Sequence, residues 1–278
     1  MRLIIGEHAG FCFGVKRAVE RACGYAEQAL PCATLGPLIH NPQEVERLSR
    51  AGIRCVSTPA EVSPGETLLI RSHGDSPAVM RQASEKGVPV IDLTCPHVAH
   101  IHRLVSEAED GRTVIIVGEA DHPEVQGIAG WAKGQPVILP TAEAAMQAVL
   151  PQKAMVVAQT TLRRETFESV LSVLSERIPD LQVHRTICAA TSQRQEEAAR
   201  LSMEADAVVV VGGRNSSNTK KLYETCLTHC ARTILAETPE DIPTGFFTEQ
   251  DTVAVTAGAS TPQWLLQAVC DRIRGGKP

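Results

Sequence analysis

The sequence predicts an α/β protein made of three pseudo-symmetric modules, each built on a parallel sheet. Three observations carry that expectation. Short runs rich in Val, Ile and Leu alternate with longer amphipathic stretches along the chain. Each short run is followed by a turn containing Gly, Ser, Thr, Pro or Asn and then by a helical pattern, the order that parallel strands with crossover helices require. Cys12, Cys95 and Cys188 lie 83 and 93 residues apart, and a similar schedule of polar residues follows each of them.

Strands are expected at residues 3–5, 67–71, 90–93, 113–117, 154–158, 207–211 and 252–255. Several are almost continuous in aliphatic residues, as strands covered by helices on both faces must be. Helices are expected at 15–28, 42–51, 166–177, 192–204 and 262–272, where the amphipathic pattern is helical. The chain then divides into α/β modules 14–95, 96–187 and 188–278, joined by the N-terminal segment 1–13. No long Gly/Ser/Pro linker separates them, so close packing is expected.

Composition excludes several functions. A net charge of −5 argues against nucleic acid as the main partner, because binding a phosphate backbone needs a basic face. Aromatic residues make up 3% of the chain, too few for stacking platforms. No apolar run approaches the ~20 residues of a membrane span, and the N-terminal apolar stretch is too short for a signal peptide. A cytoplasmic enzyme is the expectation. Nine cysteines without an export signal then point away from a disulfide framework. Cys23, Cys32, Cys55, Cys226, Cys230 and Cys270 read as small buried side chains. Cys226 and Cys230 stand one helical turn apart but lack a third nearby donor, so they do not make a metal site.

The informative residues fall at expected strand ends. Cys12 sits in GFCFG between the first strand and the first helix. His73, Cys95, His122, Thr160, Ser216 and Ser260 each follow a strand. Open parallel sheets bind ligands at that edge, where helix N-termini offer unpaired N–H groups and positive partial charge. Three thiolates from separate modules suit a cubane iron–sulfur cluster with one iron left open. A Cys₃His zinc site is the competing reading, although the close CxxC pairs of common zinc sites are missing.

His40, His73 and His122 lie in polar or glycine-rich contexts, and Ser216, Ser217 and Asn218 follow two glycines. With Ser260 these donors suit a compact polyanion such as diphosphate. Each turn taken alone also reads as a helix cap. Glu124 lies two residues after His122. Nearby negative charge would raise its pKa and make it a proton donor, whereas a solvated glutamate at a helix start is the bland alternative.

The motifs then resemble a known family, the 4-hydroxy-3-methylbut-2-enyl diphosphate reductases. The resemblance rests on GFCFGVKRA (10–18), LIHNP (38–42), RSHG (71–74), DLTCP (92–96) and HPEVQG (122–127). It continues through AQTT (158–161), ICAAT (187–191), GRNSSN (213–218) and TAGASTP (256–262), in order over nearly the whole chain. It implies three lobes packed around a central [4Fe–4S] site held by Cys12, Cys95 and Cys188. It further implies that His40, His73, His122, Ser216, Ser217, Asn218 and Ser260 bind the diphosphate. Thr160, with Gln159, would orient the substrate hydroxyl and Glu124 would deliver protons. Ferredoxin or flavodoxin is the implied electron donor. A cluster-dependent lyase or synthase and a non-catalytic iron–sulfur redox sensor are the rival functions.

Overall fold

The computed structural model describes residues 1–275. Within them the strands form three four-stranded sheets, and every pairing is parallel. β1 (Arg2–Ile5) pairs with the last strand of the chain. β2 (Cys32–Leu35), β3 (Arg54–Val56), β4 (Thr67–Ile70) and β5 (Val90–Asp92) make one sheet in the order β3-β2-β4-β5. β6 (Thr113–Val117), β7 (Val137–Leu139), β8 (Lys153–Ala158) and β9 (Asp180–Val183) make another, β7-β6-β8-β9. β10 (Ala207–Val211), β11 (Thr233–Ala236) and β12 (Thr252–Ala257) complete the third, β1-β12-β10-β11.

The helices between them are α1 (Phe13–Glu27), α2 (Pro42–Arg50), α3 (Pro77–Glu85), α4 (Pro96–Ser106) and α5 (Pro123–Gly130), followed by α6 (Ala142–Gln147), α7 (Arg164–Arg177), α8 (Ala189–Glu204), α9 (Ser217–His229) and α10 (Gln263–Ile273). The expected fold class, three parallel-sheet α/β modules, is the one observed.

Aliphatic continuity dictates burial on both faces of the central strands. Ile115, Val117, Val156 and Ala158 face Phe167, Val170 and Leu174 of α7. The alternate residues Val114, Ile116, Met155 and Val157 face Ile101 and Val105 of α4 and Val125 and Ile128 of α5. The β10–β12 sheet repeats this design. Val209, Val211 and Val255 meet Leu266 and Val269 of α10, while Val208, Val210 and Ala254 meet Leu201 of α8 and Leu222 of α9. Truncating any one such large core side chain to alanine costs about 2–5 kcal/mol.

Proline fixes several helix starts. Pro42, Pro77, Pro96 and Pro123 each take the first helical position, where a missing N–H costs nothing. The residue ahead of each is therefore held at a strand-end turn, and two of these residues are Cys95 and His122.

Periodicity did not reveal β2, β3, β7, β9 and β11, nor the short helix α6. The five strands span only three or four residues, too few for a period to register. The helix expected at 192–204 begins earlier, at Ala189. Contacts divide the chain into two compact units. One comprises residues 1–16, 39–46 and the chain from Ala189 on; the other comprises residues 17–38 and 47–188. Among the described residues no helix is long and apolar enough to cross a membrane.

Candidate active site

In the unit holding β1 and β10–β12, Cys12 precedes α1 and its carbonyl accepts the Lys16 N–H at 2.9 Å. Its own N–H donates to the Ala259 carbonyl at 3.0 Å, tying it to the turn after β12. Gly10, two residues earlier, has φ +111°, a left-handed conformation that favours glycine. Two side chains of α8 hold this loop. The Arg194 guanidinium donates to the Gly10 carbonyl at 2.7 Å, and the Glu197 carboxylate accepts the Glu7 and His8 N–H groups at 2.8 and 3.0 Å.

Sequence reasoning missed both residues. The available signal was a charged residue on an apolar stripe: Thr191, Arg194, Ala198 and Leu201 share one buried face of α8.

The same unit assembles His40, Ser260 and the glycine turn after β10. Ser260 Oγ donates to the His40 carbonyl at 3.1 Å. A Cβ on Gly213 would fall 2.6 Å from that carbonyl oxygen, so the close approach requires glycine. Ser216 caps α9 by accepting the Thr219 N–H, and Ser217 Oγ accepts the Lys221 ammonium at 2.6 Å. Asn218 is 3% exposed, and neither atom of its amide has a hydrogen-bond partner among the described residues. A buried amide left so costs roughly 1–3 kcal/mol until a ligand or water satisfies it.

The second unit builds a different arrangement. Cys95 caps α4; its N–H donates to the Ser72 carbonyl and its carbonyl accepts the Ala99 N–H, each at 2.9 Å. Just before it, Arg17 donates to the Thr94 carbonyl at 2.5 Å, while the Asp92 carboxylate accepts the Thr94 N–H at 2.9 Å and its hydroxyl. His73 and His122 meet edge to face with ring centroids 5.7 Å apart. His122 Nδ1 accepts the Glu124 N–H at 3.1 Å. That nitrogen therefore carries no proton, and His122 is a neutral imidazole whose Nε2 is the donor.

Glu124 is 2% exposed and Thr160 grips its carboxylate. Oε1 accepts the Thr160 N–H at 2.6 Å and Oε2 accepts the Thr160 hydroxyl at 2.7 Å. The Thr160 carbonyl in turn accepts the Cys188 N–H at 3.1 Å. Gln159 is fully buried with its amide committed to the turn: it accepts the Glu119 N–H and donates to Thr161, both at 3.0 Å. Below this edge His102 of α4 stacks on Trp131, with centroids 5.3 Å apart, and burial holds its pKa down at about 4. His102 is a third residue that sequence reasoning overlooked.

The structure thus brings together His40, Ser260 and the Ser216–Asn218 turn in one unit, and His73, His122, Glu124, Gln159, Thr160, Cys95 and Cys188 at strand ends of the other. Among the described residues no three His, Cys, Asp or Glu side chains are arranged as metal ligands. Fold and site together define an α/β enzyme whose parallel-sheet edges carry thiols, imidazoles, hydroxyls and a buried carboxylate–hydroxyl pair.

Comparison with known proteins sharpens that class. A family profile described as LytB protein matches residues 3–274. The 4-hydroxy-3-methylbut-2-enyl diphosphate reductase of Geobacter sulfurreducens is 42% identical, with 99% of this chain and 97% of the relative covered. That of Aquifex aeolicus is 40% identical, with 98% and 96% covered. Two solved structures agree. One, of (E)-4-hydroxy-3-methyl-but-2-enyl diphosphate reductase, the terminal enzyme of the non-mevalonate pathway, is 40% identical with a TM-score of 0.73, covering 99% of this chain and all of that one. The other, a reductase from Plasmodium falciparum, is 27% identical with a TM-score of 0.90, covering 97% and 87%. The chain belongs to the LytB family of 4-hydroxy-3-methylbut-2-enyl diphosphate reductases.

Proposed function

We propose that this chain reduces 4-hydroxy-3-methylbut-2-enyl diphosphate to isopentenyl and dimethylallyl diphosphate, with a [4Fe–4S] cluster held by Cys12, Cys95 and Cys188. The observation that carries the reading is the run of contacts from Glu124 through Thr160 to Cys188, at 2.6, 2.7 and 3.1 Å. It links a carboxylate, a hydroxyl and a thiol-bearing residue across the ends of β6, β8 and β9. Relatives matching the full chain supply the identity of the substrate.

The donor set fits the cluster. None of the nine cysteines is in a disulfide, and Cys12, Cys95 and Cys188 are partly accessible at helix starts. Burial instead pushes the Cys226 thiol up to about 12 and raises those of Cys32 and Cys270, which keeps them protonated. When bound, the cluster supplies electrons and a Lewis-acidic iron.

The chain's own residues do the rest. His40, Ser216, Ser217, Asn218 and Ser260, with His73 and His122, hold the diphosphate through neutral donors. Anchoring that end makes presentation of the hydroxyl end effectively intramolecular. Thr160 orients the substrate hydroxyl, and Gln159 stiffens the turn that carries Thr160. The conversion takes up two electrons and two protons and releases the hydroxyl as water. Protonated Glu124 donates to Thr160 Oγ1, and Thr160 passes its own proton to the departing oxygen. Ferredoxin or flavodoxin delivers the electrons in the cytoplasm, and segments 14–95, 96–187 and 188–278, joined by segment 1–13, are the repeated modules.

Glu124→Gln tests the assignment. The amide keeps one acceptor for the Thr160 N–H and one donor toward its hydroxyl, so substrate binding persists. Turnover with saturating reductant falls by about 10²–10⁴-fold; near-normal turnover would remove Glu124 from the mechanism. Turnover without reductant would favour a lyase, and failure to bind any diphosphate would favour a sensor.

A further inference from the structure

The edge that carries Cys188 is not a strand where it matters. β9 ends at Val183, yet residues 184–188 continue beside β8 and the turn after it. The His184 N–H donates to the Val156 carbonyl at 2.9 Å, and the Cys188 N–H to the Thr160 carbonyl at 3.1 Å. Between these two backbone bonds the ladder is closed by a side chain. Thr186 Oγ1 accepts the Ala158 N–H and donates to the Ala158 carbonyl, both at 2.7 Å.

One hydroxyl thus replaces a backbone donor and a backbone acceptor at once. The Gln159 N–H is turned to the opposite side, toward the Val117 carbonyl of β6, so by strand alternation both Ala158 groups face the 184–188 edge. Ala158 is fully buried, so its polar groups cannot turn to solvent instead.

We propose that Thr186 is a positioning residue: it locks the register of the 184–188 edge and thereby sets Cys188 against Thr160, the residue that grips Glu124. The inference rests on the functional reading above, in which Cys188 is a cluster ligand and Thr160 a proton carrier. Shape alone does not do this. Thr186→Val keeps the branching and removes both bonds, whereas Thr186→Ser keeps both and removes a methyl group.

The test compares these variants in full-length protein. Hydrogen exchange of the metal-free protein reads the amides of residues 184–188, with α7 as the internal reference for global opening. Thr186→Val should speed exchange at Cys188 by roughly 10- to 100-fold, the loss of two buried bonds, with α7 unchanged. In the reconstituted enzyme kcat should fall by a similar factor while KM for the diphosphate stays within about twofold, because the anion donors lie elsewhere. Thr186→Ser should restore both readouts.

Unchanged exchange at Cys188 in Thr186→Val overturns the lock. So does faster exchange that spreads equally through α7, which would assign Thr186 to general stability. If instead Cys188→Ser retained the cluster, the functional reading would fall while the exchange result stood by itself.

Discussion

His102 makes the stability of the second unit sensitive to acid in a way that can be calculated. Its ring is 5% exposed, stacked on Trp131 and pressed against the loop that follows His73. A Cβ on Gly74 would lie 2.4 Å from His102 Cε1, and one on Gly127 would lie 3.6 Å from Nε2. Desolvation lowers its pKa from 6.5 to about 4, although the charges of Asp92 and Asp75 pull the other way. The unfolded chain takes up this proton below about pH 6.5 and the folded chain only near pH 4. Stability is therefore intact above pH 6.5 and drains away as pH falls toward 4.

The gap corresponds to about 3 kcal/mol in full, and about 2 kcal/mol of it is lost between pH 7 and pH 4.5. Urea unfolding at those two pH values, for wild type and His102→Gln, isolates the term. Glutamine forfeits the stack at both pH values alike, so the difference of differences reports the proton alone. Wild type should lose about 2 kcal/mol more than the variant on acidification. Equal losses in the two proteins would refute the linkage.

Asn218→Ala removes a buried amide whose atoms lack partners among the described residues, so the apoprotein should hold steady or gain about 1 kcal/mol, while calorimetric affinity for inorganic pyrophosphate falls about tenfold. Gly213→Ala forces a Cβ to 2.6 Å from the His40 carbonyl; denaturant titration should show a loss of about 1–3 kcal/mol, accompanied by weaker pyrophosphate binding. Cys226, its thiol pushed up to about 12, should resist alkylation at pH 8 in the folded protein, and Cys226→Ala should leave the iron and sulfide content after reconstitution unchanged.

The sheet edges were legible because chemistry and periodicity coincide there. Long aliphatic strands such as β6, β8, β10 and β12 announce themselves, and the residue type that follows each one stands out against turn residues. Strands such as β2 and β7 were lost because three or four residues carry no period. The side-chain contacts were legible only in part. Glu124 could be named from its neighbours, but not that Thr160 would bind both of its oxygens, because the two stand 36 residues apart. Arg194, Glu197 and Thr186 escaped for a related reason. They act on backbone groups of distant segments, and a backbone carbonyl or N–H leaves no mark in a sequence.

The residues proposed to hold the diphosphate include no arginine or lysine. A diphosphate is most simply held by arginines and lysines, which add charge as well as hydrogen bonds. Fixed positive charge near Glu124 would stabilise its carboxylate and hold the proton off it at neutral pH. His122 illustrates the alternative. Its Nδ1 accepts the Glu124 N–H, so the ring adds no cation two residues from the carboxyl group. Replacing His122 with arginine should therefore tighten pyrophosphate binding yet lower turnover, with the alkaline limb of the kcat profile moving to lower pH. Tighter binding with turnover intact would mean that the proton on Glu124 is not what the neutral donors protect.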